Sequence, residues 1–214
     1  MSGPVAAALR HLKLELVVWA VHTRTLIKRR GDLKALAGHG DLRLHLGCGD
    51  RLKTGWVNID IHPAADLRLD LRRPWPLPEG CAREVYAEHL LEHLANPGEA
   101  DHLLREARRV LRTGGALRLS VPDLARHVGA YVARDAEFRA AFAPFVPAEA
   151  VTWGDALNHH FRQHGEHLYV YDAETLEARL HAAGFVEPRV VPSSRDYEQP
   201  ARDFESLVMV ARNP

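Results

Sequence analysis

From residue 41 onward, short apolar runs alternate with stretches of helical periodicity, the rhythm of a parallel sheet whose strands are joined by crossover helices. Residues 42–46, 56–61, 67–71, 84–87 and 116–121 read as five successive strands, and 185–191 and 206–211 as two more. A helix is expected over 98–111, because Leu103, Leu104, Ala107, Val110 and Leu111 recur on one face, with Gly114 and Gly115 expected to stop it. A second is expected over about 173–183, ended by Gly184. This pattern predicts an α/β fold: a doubly wound, seven-stranded, mostly parallel sheet in a domain spanning 41–214. Residues 135–170 break the rhythm with Trp153, four His, Pro144 and Pro147, and read as an insertion or lid after the fifth strand.

Residues 1–40 differ, with seven Lys or Arg against two Asp or Glu. Leu9, Leu12, Leu16, Trp19 and Leu26 recur at helical spacing while Arg10, Lys13, Arg24 and Lys28 fall elsewhere. This predicts a basic amphipathic helix that packs on the domain or on a second copy, and residues 9–30 are also compatible with a membrane surface. The full chain balances 28 basic against 28 acidic residues, so no nucleic-acid partner is expected. Two cysteines cannot make a disulfide framework, no run reaches the roughly 18 apolar residues of a membrane span, and Glu15 interrupts any signal-peptide core. A cytoplasmic protein is the expectation.

The densest chemistry lies in Leu44-His45-Leu46-Gly47-Cys48-Gly49-Asp50, a strand running into a glycine turn, where backbone can approach a ligand closely. The dinucleotide pattern G-x-G-x-x-G fails at Leu52, so a dinucleotide is not favoured. Asp60, 11 residues after Gly49, closes the second strand, where a carboxylate can accept from both ribose hydroxyls; Asp70 closes the third and can accept from an exocyclic amine. Together these make a nucleoside site.

Across residues 41–122 and 172–211 the chain resembles class I S-adenosylmethionine-dependent methyltransferases. The resemblance rests on LHLGCGDRLKTGWVNIDI, DLRLDL, VYAEHLLEHL, EARRVLRTGGALRLSVPD and the Leu-x-x-Ala-Gly-Phe ending at Phe185, and is greatest to a group of small predicted bacterial enzymes. It implies a Rossmann-like methyltransferase fold and S-adenosylmethionine as cofactor. Carried over, Leu46, Gly47, Cys48 and Gly49 cradle the methionine part, Asp60 and Ile61 take the ribose and flank the adenine, and Asp70 and Leu71 follow the third strand. Glu88 and His89 line the methionyl end. The implied reaction is methyl transfer to a small-molecule or sugar acceptor.

An oxygen acceptor also needs a base, and His89, Asp123 and His164 are the expected catalytic residues, with His160 and His167 as further candidates. Two other readings stand beside this one. His89, Glu92 and His93 match H-x-x-E-H, a zinc-hydrolase signature, and His159, His160, His164 and His167 contain an i, i+4 pair, His160 and His164, able to share a helix face; no metal is expected at either. A non-catalytic binding protein keeping the fold is the third. The apolar face of the N-terminal helix also suits a homodimer interface.

Overall fold

The computed structural model describes residues 4–28 and 41–214. The described residues form one seven-stranded sheet in the order β3-β2-β1-β4-β5-β7-β6. The strands are β1 Leu42–Leu46, β2 Val57–Asp60, β3 Leu67–Arg68, β4 Ala82–Glu88, β5 Leu111–Pro122, β6 Val186–Val190 and β7 Ser206–Arg212. All neighbours are parallel except β7, which runs antiparallel to β5 and β6. The helices are α1 Pro4–Lys28, α2 Glu99–Val110, α3 Leu124–Ala133, α4 Ala136–Phe142, α5 Trp153–Arg162 and α6 Ala173–Ala182. Among the described residues no helix is long and apolar enough to cross a membrane.

The two faces of the sheet are chemically different because strand residues alternate sides. Leu44, Leu46, Val85, Ala87, Leu117, Leu119 and Met209 belong to the main core with Leu103, Leu104, Ala107 and Val110 of α2 and Leu176 and Leu180 of α6. Burying each leucine contributes about 2 kcal/mol. The alternate residues Arg43, His45, Glu84, Tyr86, Arg118 and Ser120 make the other face polar and aromatic. There His45 stacks on Tyr86 at 5.2 Å, Arg43 lies 4.0 Å over Trp56, and Tyr197 packs edge-on to both Trp56 and Tyr86. The cover on this side is the irregular strap 191–205, and residues 47–56 join β1 to β2 without a helix.

Several expectations change in detail. Helix α2 ends at Val110 and β5 starts at Leu111, so Gly114 and Gly115 lie inside a strand rather than stopping a helix. Gly114 takes φ 74°, and a Cβ on Gly115 would stand 2.8 Å from the Arg112 carbonyl, so the pair bends the start of β5. On α1 the side turned to the domain carries Val18, His22 and Thr25, while Leu12, Leu16 and Trp19 of the expected packing stripe are exposed. Polar fixings set this rotation: Asp70 N–H donates to His22 Nδ1 at 3.3 Å, and Arg72 donates to both Glu15 oxygens at 2.9 Å. The side chains of Leu9, Arg10 and Lys28 lie outside the described residues. Within the expected insertion, α4 and α5 pack with α3 as a small second core of Ala130, Phe142, Trp153 and Ala156, joined by Phe204 of the strap.

Candidate active site

A cavity of about 440 Å3 opens at the carboxyl ends of β1 and β4, where α/β sheets bind ligands. Its floor is the glycine turn, with Gly47 at φ 66° and Gly49 at φ 53°, both costly for any residue with a Cβ. A Cβ on Gly47 would meet Leu90 at 2.9 Å, whereas one on Gly49 meets nothing within 4 Å and would stand in open space. The turn is held by Asp60, whose Oδ2 accepts from Gly49 N–H and whose Oδ1 accepts from His62 N–H, each at 2.8 Å. Cys48 is buried in the same turn, and burial together with Asp60 and Asp66 pushes its thiol up to about 12, so it stays protonated and unreactive.

The walls come on one side from His45 and Asp50 of the glycine-turn motif with Arg51, Leu52 and Lys53 of the loop that follows, and on the other from Tyr197, Gln199 and Arg202 of the strap, which sequence reasoning did not single out. Asn58 pins the short β1–β2 loop, its Oδ1 accepting from His45 Nδ1–H at 3.1 Å and Lys53 N–H at 2.8 Å. Lys53 Nζ then donates to the Tyr197 carbonyl at 2.6 Å, tying loop to strap. Glu88, at the end of β4, accepts from Gln199 N–H at 2.8 Å and Nε2 at 3.2 Å. Strap contacts more than 100 residues distant in sequence leave no local signal, although the buried Asn of Gly-Trp-Val-Asn does.

His89 lines the cavity in a left-handed conformation, φ 48°, strained for a non-glycine residue and held by its N–H to the Ser120 carbonyl at 2.8 Å. Its Nε2 meets Ser206 Oγ at 2.9 Å and its Nδ1 lies 3.3 Å from Glu92 Oε1. Asp123 stands elsewhere, as the N-cap of α3, with Oδ1 accepting from Ala125 and Arg126 N–H groups. His164 is exposed at φ 57° beyond the end of α5, so it leaves the helix and shares no face with His160. The expected i, i+4 pair is thus absent: His164 meets His159 at 5.0 Å between ring centroids, and His160 turns inward to stack on His127 at 3.5 Å. Nor does H-x-x-E-H lie on an α-helix, since Leu91–His93 is a single 3-10 turn.

Of the other expected cofactor residues, Leu46 and Leu71 are buried in the main core and Ile61 is exposed beside Asp60. Asp70 is buried, with its oxygens taken by Arg72 at 2.9 and 3.1 Å and by Arg73 at 3.1 Å. Burial raises its pKa, but the bonds from Arg72 and Arg73 outweigh that and hold it below the usual carboxylate range.

Beside His89 lie two groups of histidine and carboxylate, one with its carboxylate buried and its histidines partly so, the other buried throughout. Glu92 sits with His93 and His167, and Glu205 with His127 and His160, the ligand-type atoms of each group within 4.8 Å of one another. Burial lowers His160 to about 2, with His127 adding to it, so that ring is neutral. Glu205 is pulled to about 2: burial opposes ionisation, but His127, Arg202 and His160 prevail.

A mostly parallel seven-stranded sheet with an open glycine turn after β1 and a carboxylate closing β2 defines an α/β nucleoside-binding domain. More specifically, the chain belongs to the methyltransferase domain family, whose model, described as "Methyltransferase domain", matches residues 44–187; it is a class I S-adenosylmethionine-dependent methyltransferase domain. A chain from the complex between the Haloferax volcanii Trm112 methyltransferase activator and its methyltransferase has the same fold, with TM-score 0.51 and 17% identity over 94% of this chain and 98% of that one. An S-adenosylmethionine-dependent methyltransferase from Archaeoglobus fulgidus aligns with TM-score 0.49 and 14% identity over 86% of this chain and 91% of that one. A 37.1 kDa protein of transposon Tn4556 from Streptomyces fradiae is 39% identical over 61 residues, 28% of this chain and 17% of that protein, so the similarity spans a small part of the relative's length.

Proposed function

We propose that the chain transfers the methyl group of S-adenosylmethionine to a small-molecule or sugar acceptor bound in the cavity over β1 and β4. The observation that carries this reading is the open Gly49 turn backed by Asp60, in a cavity within the size range of small-ligand sites. The residues fit the cofactor. Gly47, Cys48 and Gly49 offer backbone to the methionine part, Asp60 keeps lone pairs for the ribose hydroxyls, Ile61 flanks the base, and Glu88 accepts from the amino group. Asp70 is not assigned a cofactor contact, because its oxygens are engaged by arginines.

S-adenosylmethionine supplies an already activated methyl group when bound, so the protein's task is alignment, which can contribute about 7–11 kcal/mol. His45, Lys53, Tyr197, Gln199 and Arg202 present a ring of donors and acceptors suited to an acceptor rich in hydroxyls. Of the three expected proton acceptors, His89 is the one at the cavity. Its Nε2 is bonded to Ser206 Oγ and its Nδ1 faces Glu92, so the ring fixes the cavity wall rather than offering a free base, and the reading rests on alignment of acceptor and cofactor.

Calorimetric titration with S-adenosylmethionine and S-adenosylhomocysteine tests the reading. Micromolar binding that falls at least about tenfold in Asp60→Ala is expected, followed by tritium transfer to a hydroxylated acceptor. Absence of binding by folded wild-type protein would overturn it.

A further inference from the structure

Glu92 is fully enclosed; its Oε1 has only the contact with His89 Nδ1 at 3.3 Å, and its Oε2 has no hydrogen-bond partner. A carboxylate in that position costs several kcal/mol unless a cation or donors compensate it. The groups facing it are three imidazoles, two of which commit their Nδ1 proton to a backbone carbonyl. His93 Nδ1 lies 3.1 Å from the Glu166 carbonyl and His167 Nδ1 lies 2.6 Å from the His160 carbonyl. A carbonyl can only accept, so both rings donate from Nδ1, which leaves Nε2 as the nitrogen placed to bind a metal. Backbone bonds of this kind orient metal-binding histidines. His89 repeats the logic with its nitrogens exchanged. Ser206 Oγ–H donates to the Arg202 carbonyl at 2.8 Å, so Oγ accepts from His89 Nε2–H, and the ring's other nitrogen, Nδ1, faces Glu92 Oε1, 3.3 Å away.

We propose that Glu92, His93 and His167 form a site for one divalent transition-metal ion, with His89 Nδ1 in reach as a fourth ligand. Two or three imidazoles and one carboxylate suit zinc or cobalt, ions of intermediate softness, better than magnesium or calcium. The ion would join two segments that already meet there, since the Leu168 and Tyr169 N–H groups donate to the Glu92 carbonyl at 2.8 and 3.2 Å. It would thereby clamp the end of the insertion to the β4 end beside the cavity. The inference does not depend on the methyl-transfer reading.

The neighbouring group His127, His160 and Glu205 is the weaker candidate. Arg202 already neutralises Glu205 at 2.7 Å, and Phe138 and Phe142 close against the His127 ring at 5.0 Å each. Glu92 has no arginine beside it among the described residues' ion pairs.

The test uses the full chain, free of any polyhistidine tag, dialysed against a chelator and titrated with Zn2+ by calorimetry and with Co2+ by visible absorption. One equivalent of each ion is expected, with the intense d–d bands of a four-coordinate Co2+ site. His167→Asn, which keeps a donor for the His160 carbonyl, and His93→Ala should each weaken Zn2+ binding about 100-fold or more, while His127→Asn leaves it unchanged. Absence of stoichiometric binding by wild-type protein overturns the proposal. So does binding that survives both ligand variants and is lost in His127→Asn, which would move the ion to the other group. Because the wild-type titration decides alone, a variant that fails to fold does not rescue the idea.

Discussion

Gly47 and Gly49 stand two residues apart in one turn, both left-handed, yet they are required for different reasons. At Gly47 a methyl group would meet Leu90 at 2.9 Å, so both the backbone and the packing resist any side chain. At Gly49 the backbone alone resists, and the space a methyl would take is the space proposed for the cofactor. Gly49→Ala is therefore expected to cost about 1–2 kcal/mol of stability from the left-handed backbone and to weaken S-adenosylhomocysteine binding about tenfold or more. Gly47→Ala should destabilise further, by about 2–4 kcal/mol, through the added overpacking. Urea midpoints and calorimetry on the two variants check this, and equal stability losses would remove the distinction. The glycine turn and Asp60 were readable because a left-handed backbone at Gly47 and Gly49, and the bond from Gly49 N–H to Asp60, tie each residue type to a fixed spacing. His89 was readable as a residue but not as a conformation: nothing in the sequence marks its left-handed backbone or the buried Glu92 behind it.

At the scale of elements, periodicity located all seven strands and the helices α1, α2 and α6, because six of the strands and α2 and α6 pack an apolar side against the main core, while β6 kept an apolar spacing although its residues are largely exposed. It did not resolve α3, α4 and α5, whose small core is built from scattered aromatics, nor the strap 191–205, whose contacts are polar and long-range. It also misjudged the rotation of α1, since apolar spacing favours Leu12, Leu16 and Trp19, whereas hydrogen bonds and ion pairs through Glu15 and His22 orient the helix. That mode of docking has a consequence in pH. His22 Nδ1 must be unprotonated to accept from Asp70 N–H; burial lowers its pKa, Asp70 opposes that, and Arg73 adds to it. The docked helix therefore binds fewer protons than the detached one, and docking weakens as pH falls below 6.5, the ordinary value for the ring. Asp70, held low by Arg72 and Arg73 of its own loop, contributes a separate loss of domain stability as pH falls below 3.8. Hydrogen exchange over residues 12–27, corrected for intrinsic rates, should be faster at pH about 5 than at about 7.5. His22→Gln, an acceptor that does not titrate, should flatten that difference; an unchanged pH dependence in this variant would refute the role of His22.

Considered as a whole molecule, the domain uses its sheet asymmetrically: one face is an ordinary apolar core under α2 and α6, while the other places the stabilising contacts and the cavity wall in the same strap. Arg118 on β5 lies beneath that strap, donating to Glu198 at 2.6 and 2.7 Å and to the Pro192 carbonyl at 3.0 Å, with Tyr197 4.6 Å over the guanidinium. Both partners are almost fully buried, Arg118 at 9% and Glu198 at 4% exposure, so removing one leaves an uncompensated charge rather than merely losing an attraction. Arg118→Met should thus destabilise the fold by about 3–5 kcal/mol, a fall of roughly 6–20 °C in melting temperature for a chain of this size. Because Tyr197, Gln199 and Arg202 of the same strap line the cavity, cofactor affinity should fall with stability. Adding Glu198→Leu removes the orphaned carboxylate, and a volume-matched apolar pair is close to neutral where a buried ion pair stood, so stability should return to within about 1–2 kcal/mol of wild type. Thermal unfolding and calorimetry on the single and double variants measure both quantities. A single variant as stable as wild type would show that the strap is held by its aromatic contacts alone, and that the polar face of the sheet is cover for the cavity without being part of what holds the fold together.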